Sequence, residues 1–201
     1  MKIIVSGCHG AGKTHLIEKH LLKECSSFSY LKEGIQDWIK EHDIKINENS
    51  NLDDQKKLIS LKEEQIKNAN KKNCFIDRFE GDFWVYARAS DLISPEEFKK
   101  EISKLWHKYK YVEKKTYFIL CQPQKQYLKP DNPIRSLDPY FQKEVGDIFN
   151  YFFNELFLDS ITLRDRVLKE YYCGGSNRRA IDWVHKMIAR DSQDQSRAKK
   201  Q

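Results

Sequence analysis

Short apolar runs alternate along the chain with longer segments in which apolar residues recur at helical spacing. The apolar runs predict strands at residues 2–6, 28–31, 74–76, 116–121 and 160–161. The periodic segments predict helices, chiefly over residues 13–24, 34–41, 52–71, 94–109 and 140–157. Strands and helices that alternate in this order favour an α/β fold with a mostly parallel central sheet of about five strands and helices on both faces.

Three predicted helices begin with recognisable capping sequences. Ser94-Pro95-Glu96-Glu97 combines an N-cap serine, a proline at the first helical position and the glutamate of a capping box. Asp138-Pro139 repeats the cap-then-proline pattern before the helix at 140–157. Thr162–Asp165 resembles a further capping box, so a helix is predicted to follow the strand at 160–161.

Length and composition limit the class of protein. A chain of 201 residues with 39% hydrophobic side chains fits one globular domain, assigned here to residues 1–190, while the apolar-poor residues 191–201 predict a disordered tail. No apolar run approaches the roughly 20 residues that span a bilayer, and no signal-peptide core follows Met1. Five widely spaced cysteines without a C-x-x-C pair favour reduced thiols. We therefore expect a cytoplasmic protein without membrane contact.

The positive charge of the chain is weak evidence for a polyanionic partner. The net charge is +6, from 36 Lys and Arg against 30 Asp and Glu, and most of the cations are Lys rather than the phosphate-chelating Arg. The tract from Lys99 to Lys115 is denser in Lys and also holds Trp106 and Tyr111, a combination that could bind nucleic acid. Its apolar residues fall on one helical stripe, however, which favours a core-facing helix with a solvated lysine face.

One motif points directly to nucleotide chemistry. Residues 7–14, GCHGAGKT, match G-x-x-x-x-G-K-[ST] in full, with a predicted strand before them and an amphipathic helix after them. The glycines allow successive backbone N–H groups to surround phosphate oxygens at a helix N-terminus. Lys13 is expected to reach the β- and γ-phosphates, and the Thr14 hydroxyl to ligate Mg²⁺. The residues predicted to bind the nucleotide are Gly7, Gly10, Ala11, Gly12, Lys13, Thr14 and His15.

A second set of residues carries a family resemblance. Asp77-Arg78 ends the third predicted strand, and the segment Glu80–Arg88 follows with aromatic, Tyr-Ala and Arg positions. Together with the Gly-rich loop, these residues resemble the P-loop nucleoside and nucleotide kinase group, close to its thymidylate-kinase-like and deoxynucleoside-kinase-like branches. Leu31–Gly34 and Lys129–Arg135 resemble further segments of that group. The resemblance spans residues 1 to about 188.

The resemblance implies a three-layer P-loop NTPase fold, ATP and Mg²⁺ as cofactors, and roles for individual residues. Asp77 would position Mg²⁺ with Thr14, and Arg78 would contact the acceptor or its phosphate. Glu33 would be the general base, and Arg135, on a lid near residues 122–138, would stabilise charge on the transferred phosphoryl group. The alternative interpretations are a structural ion pair for Asp77-Arg78, a solvated acid for Glu33 and a turn residue for Arg135. Members of the group are often dimers, which makes a homodimer an expectation.

The distribution of arginine indicates which acceptor the enzyme would use. No Arg lies between Thr14 and Asp77, where kinases with a phosphate acceptor place cations. A hydroxyl acceptor needs a base instead, and Glu33 lies in that interval. The sequence therefore favours a kinase that phosphorylates a hydroxyl of a nucleoside-like acceptor. Three alternatives stay open: a nucleoside monophosphate kinase, a kinase acting on nucleic acid including a modified base, and a binding module that hydrolyses ATP without transfer.

Overall fold

Five parallel strands form one sheet at the centre of the protein. The computed structural model describes residues 1–69, 73–122, 136, 138–152, 165–170 and 177–198. The strands are β1 (Lys2–Ser6), β2 (Ser29–Leu31), β3 (Cys74–Asp77), β4 (Thr116–Cys121) and β5 (Val167–Glu170). They lie in the order β2-β3-β1-β4-β5, and each neighbouring pair is parallel. The predicted parallel sheet of five strands is confirmed.

Helices cover both faces of the sheet. They are α1 (Lys13–Leu16), α2 (Leu22–Glu24), α3 (Ile35–His42), α4 (Leu52–Asn68), α5 (Glu80–Ala89), α6 (Pro95–His107), α7 (Pro139–Phe152) and α8 (Arg178–Ala198). A π-helical stretch, Ile17–Leu21, joins α1 to α2 as one continuous helix, and a second, Lys108–Val112, extends α6. Among the helices that the structure describes, none combines the length and apolar composition needed to cross a bilayer.

The strand order brings the predicted functional segments to one edge. β1 lies between β3 and β4 and is buried on both faces, which explains its continuous apolar sequence. Because all five strands are parallel, the ends of β1, β2 and β3 at Ser6, Leu31 and Asp77 meet at the same side of the sheet. Open α/β sheets bind ligands at this carboxyl edge.

The helix caps and the lysine-rich helix agree with the sequence. At the start of α6, Ser94 and Glu97 form the reciprocal hydrogen bonds of a capping box, each at 3.1 Å. Phe98, Ile102 and Tyr109 are buried on one side of α6 and its extension, as the apolar stripe predicts. Cys8, Cys25, Cys74 and Cys121 are all buried.

Two predictions near the C-terminus differ from the structure. The last described strand is Val167–Glu170, where the sequence predicts a helix that begins at Thr162. The predicted strand at 160–161 lies outside the described residues. Arg166 donates from Nη1 to the carbonyl oxygens of Tyr109 at 3.0 Å and Lys114 at 2.9 Å, and so holds the chain where β5 can pair with β4. The capping-box pattern in the sequence gives no indication that the following residues pair with β4.

The predicted tail is helical over most of its length. Helix α8 continues to Ala198, whereas the sequence predicts disorder over residues 191–201. Asp191 is buried at this end and pairs with Lys115 at 3.1 Å. Ser192 and Ser196 donate to carbonyl oxygens four residues earlier in the helix. The Lys115–Asp191 pair joins segments far apart in the sequence, and apolar periodicity does not reveal such a contact.

Candidate functional site

The phosphate-binding loop connects β1 to α1 in a conformation that requires glycine. Gly7, Gly10 and Gly12 have φ angles of 140°, 74° and 79°, which side chains disfavour. Gly7 also lies directly against β4: a Cβ atom there would stand 2.2 Å from the carbonyl oxygen of Cys121. The spacing of glycines in the motif is therefore set by backbone conformation and, at Gly7, by close packing.

Lys13 folds back across this loop. Its Nζ donates to the carbonyl oxygens of Gly7 at 3.0 Å and Cys8 at 2.8 Å, and its side chain is buried. Burial and the nearby positive charge of Arg78 lower the pKa of Lys13, against the opposing effect of Asp77. The ammonium group thus lies within the loop, where the anionic oxygens of a phosphate would be stronger acceptors than neutral carbonyls.

The side-chain oxygen atoms of Thr14, on α1, and Asp77, at the end of β3, lie side by side. Thr14 donates from Oγ1 to Asp77 Oδ2 at 2.7 Å, and Tyr30 donates to the same oxygen at 3.2 Å. The other carboxylate oxygen, Oδ1, is buried and has no hydrogen-bond partner among the described residues. Hydroxyl and carboxylate oxygens are the hard ligands that Mg²⁺ prefers. The residues present therefore fit a magnesium ion.

Arg78 connects three segments of the site. The residue has a left-handed backbone conformation, with φ 63°, directly after β3. Its Nε donates to Glu33 Oε1, and its Nη1 donates at 3.2 Å both to Asp82 Oδ2 and to the Gly7 carbonyl oxygen. Ser6 donates to the remaining oxygen of Asp82 at 2.6 Å. The guanidinium thereby fixes the phosphate loop, helix α5 and Glu33 relative to one another.

The two carboxylates bound by Arg78 have different electrostatic environments. Burial raises the pKa of the fully buried Asp82 to about 6, although the charge of Arg78 opposes this rise. Burial also acts to raise the pKa of Glu33, but Arg78 and Lys13 outweigh it and the pKa is lowered. The Glu33 side chain keeps 32% of its surface exposed. Glu33 is thus an ionised carboxylate that solvent can reach.

The turn between β2 and α3 holds Glu33 in this position. Gly34 follows it with φ 82° and packs so closely on Trp38 that a Cβ atom would lie 2.8 Å from the indole. On the other side, Gln65 of α4 donates from Nε2 to the carbonyl oxygen of Lys32 at 3.1 Å. Glycine conformation and a helix-to-turn hydrogen bond therefore fix the backbone on both sides of Glu33.

Helices α5 and α7 both contact the phosphate loop, through hydrogen bonds to the backbone of His9. The backbone N–H of His9 donates to the hydroxyl of Tyr86 at 2.8 Å, and Gln142 donates to the His9 carbonyl oxygen at 2.9 Å. The His9 ring is buried beside Tyr86 and Phe141. The guanidinium of Arg78 also lies over the Tyr86 ring, 5.4 Å from its centroid. His9 contributes packing to the loop, as well as its backbone.

A buried lysine of helix α4 donates a hydrogen bond to the end of β3. Lys62, on α4, is completely buried, and its Nζ donates to the carbonyl oxygen of Asp77 at 2.7 Å and to Gln65 Oε1 at 2.8 Å. Burial lowers the pKa of Lys62 to about 8, against the attraction of Asp77 and Glu33. Lys62 links helix α4 to the residue that would position the metal.

Most of the predicted site residues come together at the carboxyl edge of the sheet. Lys13, Thr14, Glu33, Asp77 and Arg78 are joined by the hydrogen bonds described above. His15 is exposed on α1, immediately after the loop. Arg135 lies outside the described residues, as does most of the predicted lid at 122–138.

The sequence interpretation missed two buried partners of these residues. Asp82 lies four residues after Arg78, and side chains at this spacing face each other along a helix. That signal was available in the sequence. Lys62 offered none, because a lysine on an amphipathic helix ordinarily faces solvent.

The sequence model of one protein family matches most of the chain. The family is described as an AAA domain, and the match covers residues 2–165. The chain belongs to this family. A comparison with curated proteins finds no match. The family match includes the phosphate loop, β3 and the Glu33 turn, so it covers the described part of the site.

Solved structures with the same fold include NadR and deoxyadenosine kinase. NadR protein in complex with NR superposes with a TM-score of 0.63 at 19% identity, over 92% of this chain and 51% of that chain. Deoxyadenosine kinase from M. mycoides with bound dATP superposes with a TM-score of 0.62 at 13% identity, over 94% of this chain and 99% of that chain. The chain spans about half the length of the NadR chain. The predicted three-layer P-loop NTPase fold is confirmed.

Proposed function

We propose that the protein is an ATP- and Mg²⁺-dependent kinase that transfers the γ-phosphoryl group to a hydroxyl of a nucleoside-like acceptor. The observation that carries the proposal is the exposed part of the Glu33 carboxylate, held by buried Arg78 beside the phosphate loop. Two similar folds support it, one described as deoxyadenosine kinase and one as NadR in complex with NAD and AMP-PNP.

Nucleotide binding would rest on the loop and Lys13. Backbone N–H groups at the start of α1 favour an anion, and the Lys13 ammonium is already within reach of the loop carbonyls. Thr14 and Asp77 would hold Mg²⁺, which when bound neutralises negative charge on the phosphate oxygens. The unpartnered oxygen of Asp77 gives this pair a free ligand position.

Acceptor activation would rest on Glu33. The lowered pKa of Glu33 keeps its carboxylate ionised at neutral pH, so it can accept the proton of a hydroxyl that it hydrogen-bonds. Arg78 would orient that carboxylate rather than bind a substrate phosphate, because it is buried and bonded to two carboxylates. We assign to Arg135 the stabilisation of the transferred phosphoryl group from the lid.

The alternatives find less support in the described residues. A phosphate acceptor needs a free cation near Glu33, but Arg78 and the buried Lys62 are both engaged in internal hydrogen bonds. The apolar side of α6 gives little support to a nucleic-acid acceptor. The stripe that includes Tyr109 faces the core, so its aromatic residue is not available to stack on a base. We also propose a cytoplasmic location, in keeping with five widely spaced cysteines that form no C-x-x-C pair.

The deciding experiment is phosphoryl transfer from γ-labelled ATP with Mg²⁺ to three acceptor pools: nucleosides, nucleoside monophosphates, and single- and double-stranded DNA or RNA. The proposal expects label on the nucleoside pool alone, and none with Lys13→Ala. Label on monophosphates or on nucleic acid would select one of the alternative kinases. Release of label only as free phosphate, with turnover unaffected by Glu33→Gln, would indicate an ATP-hydrolysing module and overturn the proposal.

A further inference from the structure

Two histidine rings meet on the surface of the helix that follows the phosphate loop. The Nε2 atoms of His15 and His20 lie 3.4 Å apart, and the ring centroids lie 5.2 Å apart. His15 is exposed and His20 is half-buried, so both nitrogen atoms are near solvent. The proposed kinase chemistry uses neither ring.

The π-helical stretch explains why these rings meet. His20 lies five positions after His15, and in an α-helix five steps of roughly 100° would place them about 140° apart around the axis. The π-helical residues Ile17–Leu21 widen the intervening turn, and π-type i to i+5 spacing brings such residues onto one face. Short π-helical segments occur frequently at functional sites. The local backbone therefore creates the His15–His20 pair.

We propose that His15 and His20 form a two-histidine site for a divalent transition metal of the Zn²⁺ type. Imidazole nitrogen atoms bind Zn²⁺ at about 2.0–2.1 Å in tetrahedral geometry, which places two such ligands roughly 3.3–3.4 Å apart. The two Nε2 atoms already stand at that separation. A metal ion would take the place of the hydrogen bond between the rings, with the remaining proton of each neutral imidazole on Nδ1.

The site differs in chemistry from the magnesium ligands Thr14 and Asp77. It offers nitrogen ligands, which select Zn²⁺ or Ni²⁺ and disfavour Mg²⁺, whereas the Thr14 and Asp77 ligands are oxygen atoms. Among the described residues, no cluster of three or more His, Cys, Asp or Glu could hold a metal. The ion would therefore keep open positions for water or for a group of a bound ligand.

A bound ion would connect the π-helical stretch to the start of α1. His15 directly follows Lys13 and Thr14, and His20 lies within the π-helical residues. Cross-linking these positions would stabilise the folded protein, because an unfolded chain does not hold the two nitrogen atoms together. The site is thus expected to make the stability of the phosphate-binding helix depend on a metal other than magnesium.

The test measures thermal unfolding and calorimetric binding with Zn²⁺ or Ni²⁺ alone, without nucleotide. The wild type should bind one ion per chain and show a Tm rise of about 5 °C at a metal concentration roughly a hundredfold above Kd. Mg²⁺ should give no such rise. His15→Ala and His20→Ala should each abolish it, and His42→Ala, at an exposed position elsewhere, should retain it.

The outcomes separate this site from the kinase proposal. Binding of one ion that survives both His15→Ala and His20→Ala would overturn the site, as would absence of binding in the wild type. If His20→Ala lowers the Tm without metal, His15→Ala at the exposed position provides the same test in a stable background. Because the readouts are binding and stability, failure of phosphoryl transfer would not affect them.

Discussion

The Nε atom of Arg78 donates a hydrogen bond to the carboxylate of Glu33, which lies 45 residues earlier in the chain. The donor is buried and the acceptor is partly exposed, so the pair joins the interior of the site to its solvent side. Such an arrangement keeps a carboxylate ionised and oriented while one of its faces remains available. This geometry is the basis for the proposed role of Glu33 as general base.

Replacement of the proposed base should abolish most transfer without affecting nucleotide binding. Glu33→Gln keeps the size of the side chain but cannot accept a proton, so we expect kcat to fall by about a hundredfold to ten-thousandfold. Affinity for ATP should remain within about threefold of the wild type, because the phosphate loop and Lys13 are unchanged. Single-turnover transfer and equilibrium ATP binding measure the two quantities.

Asp37→Asn is the matched control for this variant. Asp37 is an exposed carboxylate in the first turn of α3, close in sequence to Glu33 but without a described contact to Arg78. It should retain wild-type kcat. An equal loss of activity in both variants would indicate a general effect of charge on the acceptor region rather than base catalysis by Glu33.

Asp82 should make the stability of the protein depend on pH in a defined direction. Its pKa is raised to about 6 in the folded protein from an ordinary value of about 3.9, so folding favours the protonated form. The resulting stabilisation is present below the ordinary pKa and is lost as pH rises through about 6. Between pH 4.5 and 7.5, wild type should lose about 2 kcal/mol of unfolding free energy relative to Asp82→Asn, as measured by urea titration. A pH-independent difference would contradict the assignment.

The buried pair of Tyr109 and Glu80 should contribute measurably to stability. The Tyr109 hydroxyl lies 3.0 Å from both oxygens of the fully buried Glu80 carboxylate. Because hydrogen bonds to buried charged groups are stronger than average, Tyr109→Phe should lower the free energy of unfolding by about 1.5–3 kcal/mol. Tyr111→Phe, at an exposed tyrosine two residues later, should change it by less than about 0.5 kcal/mol. Chemical denaturation of both variants provides the comparison.

The N-cap of α6 should behave as an independent unit of helix stability. Ser94→Ala removes the hydroxyl that accepts from the Glu97 backbone N–H, and we expect a loss of about 1 kcal/mol in unfolding free energy. Ser103 lies within the same helix and donates only to the carbonyl oxygen of Lys99. Ser103→Ala should therefore be neutral or slightly stabilising in the same denaturation assay. Equal losses in the two variants would argue against the cap.

The sequence was sufficient for features that depend on local chemistry or periodicity. The phosphate loop followed from its glycine spacing, and the parallel sheet followed from the alternation of strands and helices. The cap at Ser94 could be predicted because its partner, Glu97, lies only three residues away. Asp77 and Arg78 could be placed at the carboxyl edge because β3 is a short, fully buried strand.

Features that depend on contacts between distant segments were not predictable in this way. Lys62 has the sequence context of a solvent-facing lysine, and only the packing of α4 against β3 makes it a buried donor to Asp77. The position of β5 depends on Arg166 binding carbonyl oxygens more than fifty residues earlier, at Tyr109 in the extension of α6 and at Lys114 in the turn before β4. The residue pair His15 and His20 is separated by a spacing that α-helical periodicity places on different faces.

The π-helical residues Ile17–Leu21 also affect how this chain should be aligned with related sequences. A π turn holds one more residue than the α turn it replaces, while the buried positions Leu16, Ile17 and Leu21 remain on the core side. A relative with one residue fewer between its phosphate loop and β2 would then have an ordinary α-helix with the same inner face. In such an alignment, the gap belongs within residues 17–21, and moving it into the loop at 25–28 would place core residues of one protein opposite surface residues of the other.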